Sequence, residues 1–158
     1  MNRLHQSLLA LGLALSPLAA LALEPAVPAS RPLDAYARQQ LLGEHKLTVQ
    51  WIGWDDLAQA GQVRIDPAGA VLAVSGTQVG EDKRLDVAGH ISALVEDGFV
   101  FEGAITLQDM QGPGTGTCVR SGRMHFTTRG IRQYWRLQQM QSPCGVETDY
   151  VDIYFSGI

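Results

Sequence analysis

The chain has 158 residues, 46% of them hydrophobic and 18% charged, with 12 basic residues against 16 acidic ones and a net charge of −4. That length suits a single domain behind a leader, and an acidic chain without a basic run is a poor partner for nucleic acid or an anionic membrane. The apolar run Leu8 to Leu15 is too short to span a bilayer, and no later run is long enough.

Arg3 and His5 begin a short polar region ahead of that run, and Ala20-Leu21-Ala22 is an A-x-A cleavage site. Residues 1–22 therefore read as a signal peptide, with no cysteine after the site as a lipoprotein would need. Cleavage leaves about 136 residues, enough for one domain with a core. It also leaves 11 basic against 16 acidic residues, a net charge of −5. The expected location is periplasmic or secreted, with no integral membrane segment after cleavage. Residues 23–32, with Pro25, Pro28 and Pro32, form an extended lead-in to one β domain over 33–158.

Leu33–Leu42 reads as a short helix stopped by Gly43. From Lys46 onward the pattern is β. Leu47, Val49 and Trp51 alternate with Thr48, Gln50 and Ile52 before a turn at Gly53-Trp54-Asp55-Asp56. Gln62–Asp66 and Val71–Val79 follow, separated by Pro67-Ala68-Gly69. Gly80-Glu81-Asp82 turns into Arg84–Val95, and Glu96-Asp97-Gly98 into Phe99–Leu107. Pairing Val95 with Phe99 sets Ile91 opposite Gly103 and Gly89 opposite Ile105. Leu85, Val87, Ile91, Phe99, Phe101 and Ile105 then share one face. Gln111–Gly116 is a flexible glycine-rich loop.

Three strands close the chain. Met124 and Phe126 alternate with Arg123, His125 and Thr127. Ile131, Trp135 and Leu137 oppose Arg132, Tyr134 and Arg136. Val151, Ile153 and Phe155 oppose Tyr150, Asp152 and Tyr154. A two-residue hairpin at Arg129-Gly130 pairs Met124 with Trp135, Gly122 with Leu137, His125 with Tyr134 and Arg123 with Arg136. The next pair sets Trp135 beside Ile153 and Arg136 beside Asp152. Trp51, Met124, Trp135, Ile153 and Phe155 are the expected core, with Trp135 at its centre. On this reading Trp135→Ala costs roughly 3–5 kcal/mol, and Arg136→Ala, on an exposed face, about 1 kcal/mol or less.

Eight strands in a meander predict an all-β fold, a small up-and-down barrel with a short helix before it; a β-sandwich is the alternative. Gly76, Gly89, Gly103 and Gly122 fall mid-strand on inward faces, where they make room for bending or for a ring such as Trp51 or Trp135. Cys118 and Cys144, an even pair in an exported chain, point to a disulfide. The hairpin register supports it by placing Cys118 near Gln138–Met140. Closing that loop stabilises by roughly 3.5 kcal/mol on the chain-entropy model.

At Cys118-Val-Arg-Ser-Gly122, Tyr134-Trp-Arg-Leu-Gln138, Pro143-Cys144, Asp149-Tyr-Val-Asp-Ile-Tyr-Phe155 and Thr48-Val-Gln-Trp-Ile-Gly-Trp54 the chain resembles a family of small exported bacterial proteins. The resemblance covers most of the mature chain and implies no activity. A fainter likeness, in architecture alone, is to calycins, the lipocalin-like barrels; there a Gly-x-Trp opens the first strand, whereas here Gly53 precedes Trp54 directly.

No nucleophile motif is present, and Gly112–Gly116 lacks the lysine and the strand–helix setting of a phosphate loop. His45, His90 and His125 share no ligand spacing, and Asp55-Asp56, Glu81-Asp82 and Glu96-Asp97 fall at turns. No metal or cofactor is implied. The one cluster with a functional reading is the polar-aromatic face of Arg123, His125, Tyr134, Arg136, Asp152 and Tyr154. It is either a solvated outer face or a recognition surface, since Tyr and Arg anchor interfaces. The leading function is a non-enzymatic binding module for a protein partner or a small apolar ligand. An enzyme inhibitor probing with the Gly112–Gly116 loop is a second reading, and a hydrolase with an unrecognised site a third.

Overall fold

The computed structural model describes residues 31–109 and 116–158. The expected signal peptide, most of the expected lead-in and all but the last residue of the glycine-rich loop lie outside these. Helix α1 (Ala35–Leu41) precedes strands β1 (Gly43–Val49), β2 (Gly61–Ala68), β3 (Val71–Val79), β4 (Lys83–Val95), β5 (Gly98–Asp109), β6 (Gly116–Thr127), β7 (Tyr134–Leu137) and β8 (Val151–Tyr154). Each strand pairs antiparallel with the next, and β8 returns to β1 through Leu47–Ile153, Thr48–Asp152 and Val49–Val151. The sheet is a closed eight-stranded barrel, as the meander predicts.

Closure turns the inward faces into one core. Leu47, Ile65, Leu72, Leu85, Ile91, Phe99, Phe101, Phe126, Leu137 and Ile153 are fully buried. Gly89 and Gly103 sit opposite each other on β4 and β5, and a Cβ on either would come within 2.8 Å of the Phe101 ring. The inward glycines do make room for a ring, but it is Phe101 rather than a tryptophan. Gly122 differs: it is exposed at φ +109°, and nothing lies within 4 Å of where its Cβ would be.

Helix α1 closes the end at which β1 begins. Asp34 caps it, its Oδ1 accepting from Ala37 N at 2.8 Å. Leu41 is buried, and Leu33, Ala37 and Leu42 pack against the core. The buried His45 ring ties the helix to the last strand, with Nε2 2.9 Å from Leu41 O and Nδ1 2.8 Å from Tyr154 O. Arg31, inside the expected lead-in, is already bonded to Leu94 through both backbone groups.

Two registers differ from expectation, one through a shorter turn and a bulge, the other through a longer turn. Val95 pairs with Gly98, and a bulge between Ile91 and Ala93 then sets Ile91 against Phe101 and Gly89 against Gly103. β6 and β7 pair Phe126 with Leu137 and Thr127 with Arg136, four residues from the expected pairing. The turn between them is longer than two residues: Thr128 Oγ1 donates to Arg132 O and Arg132 N to Arg129 O. A four-residue shift keeps side-chain parity, so the inward faces are unchanged. The β7–β8 pairs Trp135–Ile153 and Arg136–Asp152 are as expected.

Met124 and Ile153 are core residues, while Trp135 and Phe155 are half-buried and pack on each other at 4.5 Å. Trp51 is not in the core: it sits in the turn after β1, 45% exposed. Ile131 is wholly exposed in the β6–β7 turn.

Phe101, rather than Trp135, fills the centre. Phe101→Ala is expected to destabilise by about 3–5 kcal/mol. Gly103→Ala is expected to destabilise as well, because the added methyl meets that ring and the β4 backbone. Chemical denaturation of both variants with an unchanged slope checks this.

Candidate functional site

The polar-aromatic face divides in two. On the outer surface of β7 and β8, Arg136 Nε and Nη2 donate to Asp152 Oδ1 and Oδ2 at 2.7 and 2.6 Å. The Arg136 guanidinium lies 4.6 Å from the Tyr150 ring centre, 5.1 Å from Tyr134 and 5.4 Å from Trp54. Trp54 stacks on Tyr150, and Tyr134 meets Tyr154. Loops after β1 and before β8 thus fold over the pair and leave its side chains only 14% and 1% exposed. Burial pushes the Asp152 carboxyl up, against the opposing pull of Arg136, and Asp152 in turn holds Arg136 protonated. Tyr154, too, is pushed up by burial. Tyr134, Arg136, Asp152 and Tyr154 form one cluster, but the ion pair within it is covered, not solvated.

Arg123 and His125 stand apart from it. Arg123 reaches Glu102 at 3.3 Å. His125 is joined to Gln139: Gln139 Oε1 accepts from His125 N at 2.9 Å, which leaves Gln139 Nε2 to donate to His125 Nδ1 at 3.0 Å. Burial, and secondarily Arg123, pushes His125 below the ordinary histidine value. The expected pairing of His125 with Tyr134 fails because of the four-residue register shift.

A second group of polar side chains lies at the barrel end opposite α1. The β7–β8 hairpin continues as an arm beyond its paired strands, with Asp149 N on Met140 O and Ser142 N on Glu147 O. The disulfide Cys118–Cys144, with Cα atoms 5.9 Å apart, fastens this arm to β6. Arg120 points inward from β6 and donates to Gln141 O at 2.7 Å and Asp149 Oδ2 at 3.0 Å. Trp51 Nε1 donates to Asp149 Oδ1 at 3.1 Å. The Arg120–Asp149 pair is 12% and 6% exposed, a buried charge pair with its hydrogen bonds met.

Between the arm and the strand ends lies a cleft of about 450 Å3, lined by Trp51, Lys83, Leu107, Thr117, the disulfide and Glu147. Beneath it the inward side chains pack the lumen, with a small void of about 10 Å3 beside Ile105, Arg120 and Val151. Sequence reasoning missed this site. Arg120, Trp51 and Asp149 carry no common spacing, and only the cysteine pair hinted that the arm returns to β6. Among the described residues no three His, Cys, Asp or Glu side chains are grouped to hold a metal ion.

Arg136→Ala leaves Asp152 buried without its partner and is expected to cost about 3 kcal/mol or more. The Arg136→Ala/Asp152→Ala double variant should recover part of that loss in a denaturation cycle. His125 supplies a pH dependence. Its depressed folded value means it contributes stability above about pH 6.5, lost as pH falls through the lower folded value. Protonation also ends acceptance from Gln139. Unfolding free energy should therefore fall as the pH drops below about 6.5, and His125→Leu should flatten that fall.

A family model described as the PM1083 family matches residues 29–155. The chain is 37% identical over 116 residues to the uncharacterised protein PM1083 of Pasteurella multocida (strain Pm70), covering 73% of this chain and 74% of that protein. No solved structure matches. With an eight-stranded barrel, a disulfide-fastened arm and a family match over nearly all of its described length, the chain belongs to the PM1083 family.

Proposed function

We propose that this protein is an exported, non-enzymatic binding module that receives a protein partner at the disulfide-bearing end of its barrel. The observation that carries this is Trp51: its indole is 45% exposed in a cleft, yet held by Asp149. Large aromatic side chains held in place are the usual anchors of interfaces. Val146 and Val79 add exposed apolar surface at the same end. A filled lumen argues against a lipocalin-style ligand inside the barrel, while the cleft volume lies within the roughly 300–1,000 Å3 range of ligand sites. Export is supported by residues 1–22 and by the disulfide, which persists in oxidising compartments.

The test is capture from periplasmic extract, with mass spectrometry of proteins and of extractable small molecules. Wild type should enrich a protein that both Trp51→Ala and the fold-neutral Val146→Glu lose. Ile131→Ala, at the far end, should still capture it. Capture indifferent to Trp51 and Val146 refutes the reading, and recovery of a small apolar molecule alone replaces the protein partner with a ligand.

A further inference from the structure

We infer that the free edge of β6 beside the cleft binds an extended peptide by strand addition; this rests on the cleft reading and specifies its partner. β6 pairs with β5 along its whole length, Gly116–Thr127 against Gly98–Asp109, but with β7 only at Phe126 and Thr127. The last rung on the β7 side is His125, whose carbonyl accepts from Gln138 N at 2.8 Å and whose N–H is capped by the Gln139 side chain. Successive residues of a strand direct their backbone groups to alternate sides. Arg123, Ser121, Val119 and Thr117 therefore direct theirs the same way as His125, away from β5. Among the described residues no hydrogen bond reaches these groups on that side.

The arm that could have covered this edge goes elsewhere. Cys118 and Arg120, from the inner face of β6, draw it over the barrel mouth through the disulfide, Gln141 and Asp149. Thr117, Val119, Ser121 and Arg123 are all left exposed. Closed barrels normally have no such edge, and an open one is a template for another strand.

The occupant is an extended polypeptide because only a second strand offers carbonyls and N–H groups at the same two-residue repeat. The stretch Thr117–Arg123 is about 23 Å long at roughly 3.3 Å per residue. Its Thr117 end runs into the cleft. Its other end carries the half-exposed Arg123, paired with the half-exposed Glu102 at 3.3 Å. The partner segment therefore carries an acidic side chain opposite Arg123 and an apolar one that enters the cleft beside Trp51. Gly122 leaves open space at φ +109°, where an incoming backbone can approach.

The mature, disulfide-bonded chain is screened against phage-displayed linear decapeptides, and the best binder is resynthesised with N-methyl groups at successive positions. Methylation at alternate positions should weaken binding at least tenfold, with the intervening positions near unchanged. The amides of Val119, Ser121 and Arg123 should exchange fast in the free protein and slowly in the complex. Ser121→Pro should abolish binding with little change in melting temperature, since the lost N–H faces away from β5; if that variant is unstable, the methylation pattern decides alone. Binding that ignores methylation but is lost with Val146→Glu overturns strand addition and leaves the cleft reading standing. A dimer that Ser121→Pro dissolves gives the edge to a second copy of the chain and overturns the peptide partner. Selection of no binder overturns the inference, and the cleft reading then stands or falls on its own capture experiment.

Discussion

The structure depends on the closure of β1 against β8. Three residue pairs join segments about a hundred positions apart in sequence, and only with them in place do the inward faces of eight strands become one core. Closure over that distance carries a large loop-entropy cost, offset when the apolar faces leave water together. The outer cluster lies over this same closure. Arg136, Asp152, Trp54 and Tyr150 lie on or beside β7 and β8, so the joint is covered on both sides. An outer face of an antiparallel sheet is ordinarily solvated; here two loops bury it.

The opposite situation holds between β6 and β7. Two ladder pairs are few for a barrel wall, and the chain joins this seam by side chains instead. The Gln139–His125 clasp, the Arg120–Asp149 pair and the disulfide succeed one another along it. A disulfide closing a 26-residue separation stabilises by about 3.5 kcal/mol on the entropic model. A backbone hydrogen bond contributes about 1 kcal/mol net. The covalent tie thus offsets roughly three missing rungs, which is why the wall can stay open at its edge without the arm detaching.

The two ends of the barrel are closed by different means. At one, an amphipathic helix inserts Leu41 and is fixed by Asp34 and His45. At the other, a hairpin arm leans across the strand ends and leaves a cleft beside Trp51. A packed core makes the scaffold rigid, and the binding role proposed above places recognition at that second end. A rigid floor under a half-exposed indole is what a binding site needs, because little conformational freedom is then lost on association.

Side-chain alternation was legible in the sequence, because period two is a local property of an extended chain: Met124, Leu137, Ile153, Leu85 and Phe101 were placed inward correctly. The strand number and the barrel followed from the same pattern, and the disulfide from an even pair of cysteines in a chain read as exported. Register was legible for β7 on β8 but not for β4 on β5 or β6 on β7, since it accumulates from turns and bulges that differ by single residues. The six residues between Thr127 and Tyr134 moved His125 away from Tyr134, and one bulge after Ile91 shifted β4 on β5. Nor was burial on the outer face, because the cover for Arg136 comes from Trp54, some eighty positions away in the chain. By itself the sequence determined which side of each strand is apolar and that Arg136 meets Asp152; only the tertiary structure decided the other polar meetings, because those depend on long-range closure that no local window contains.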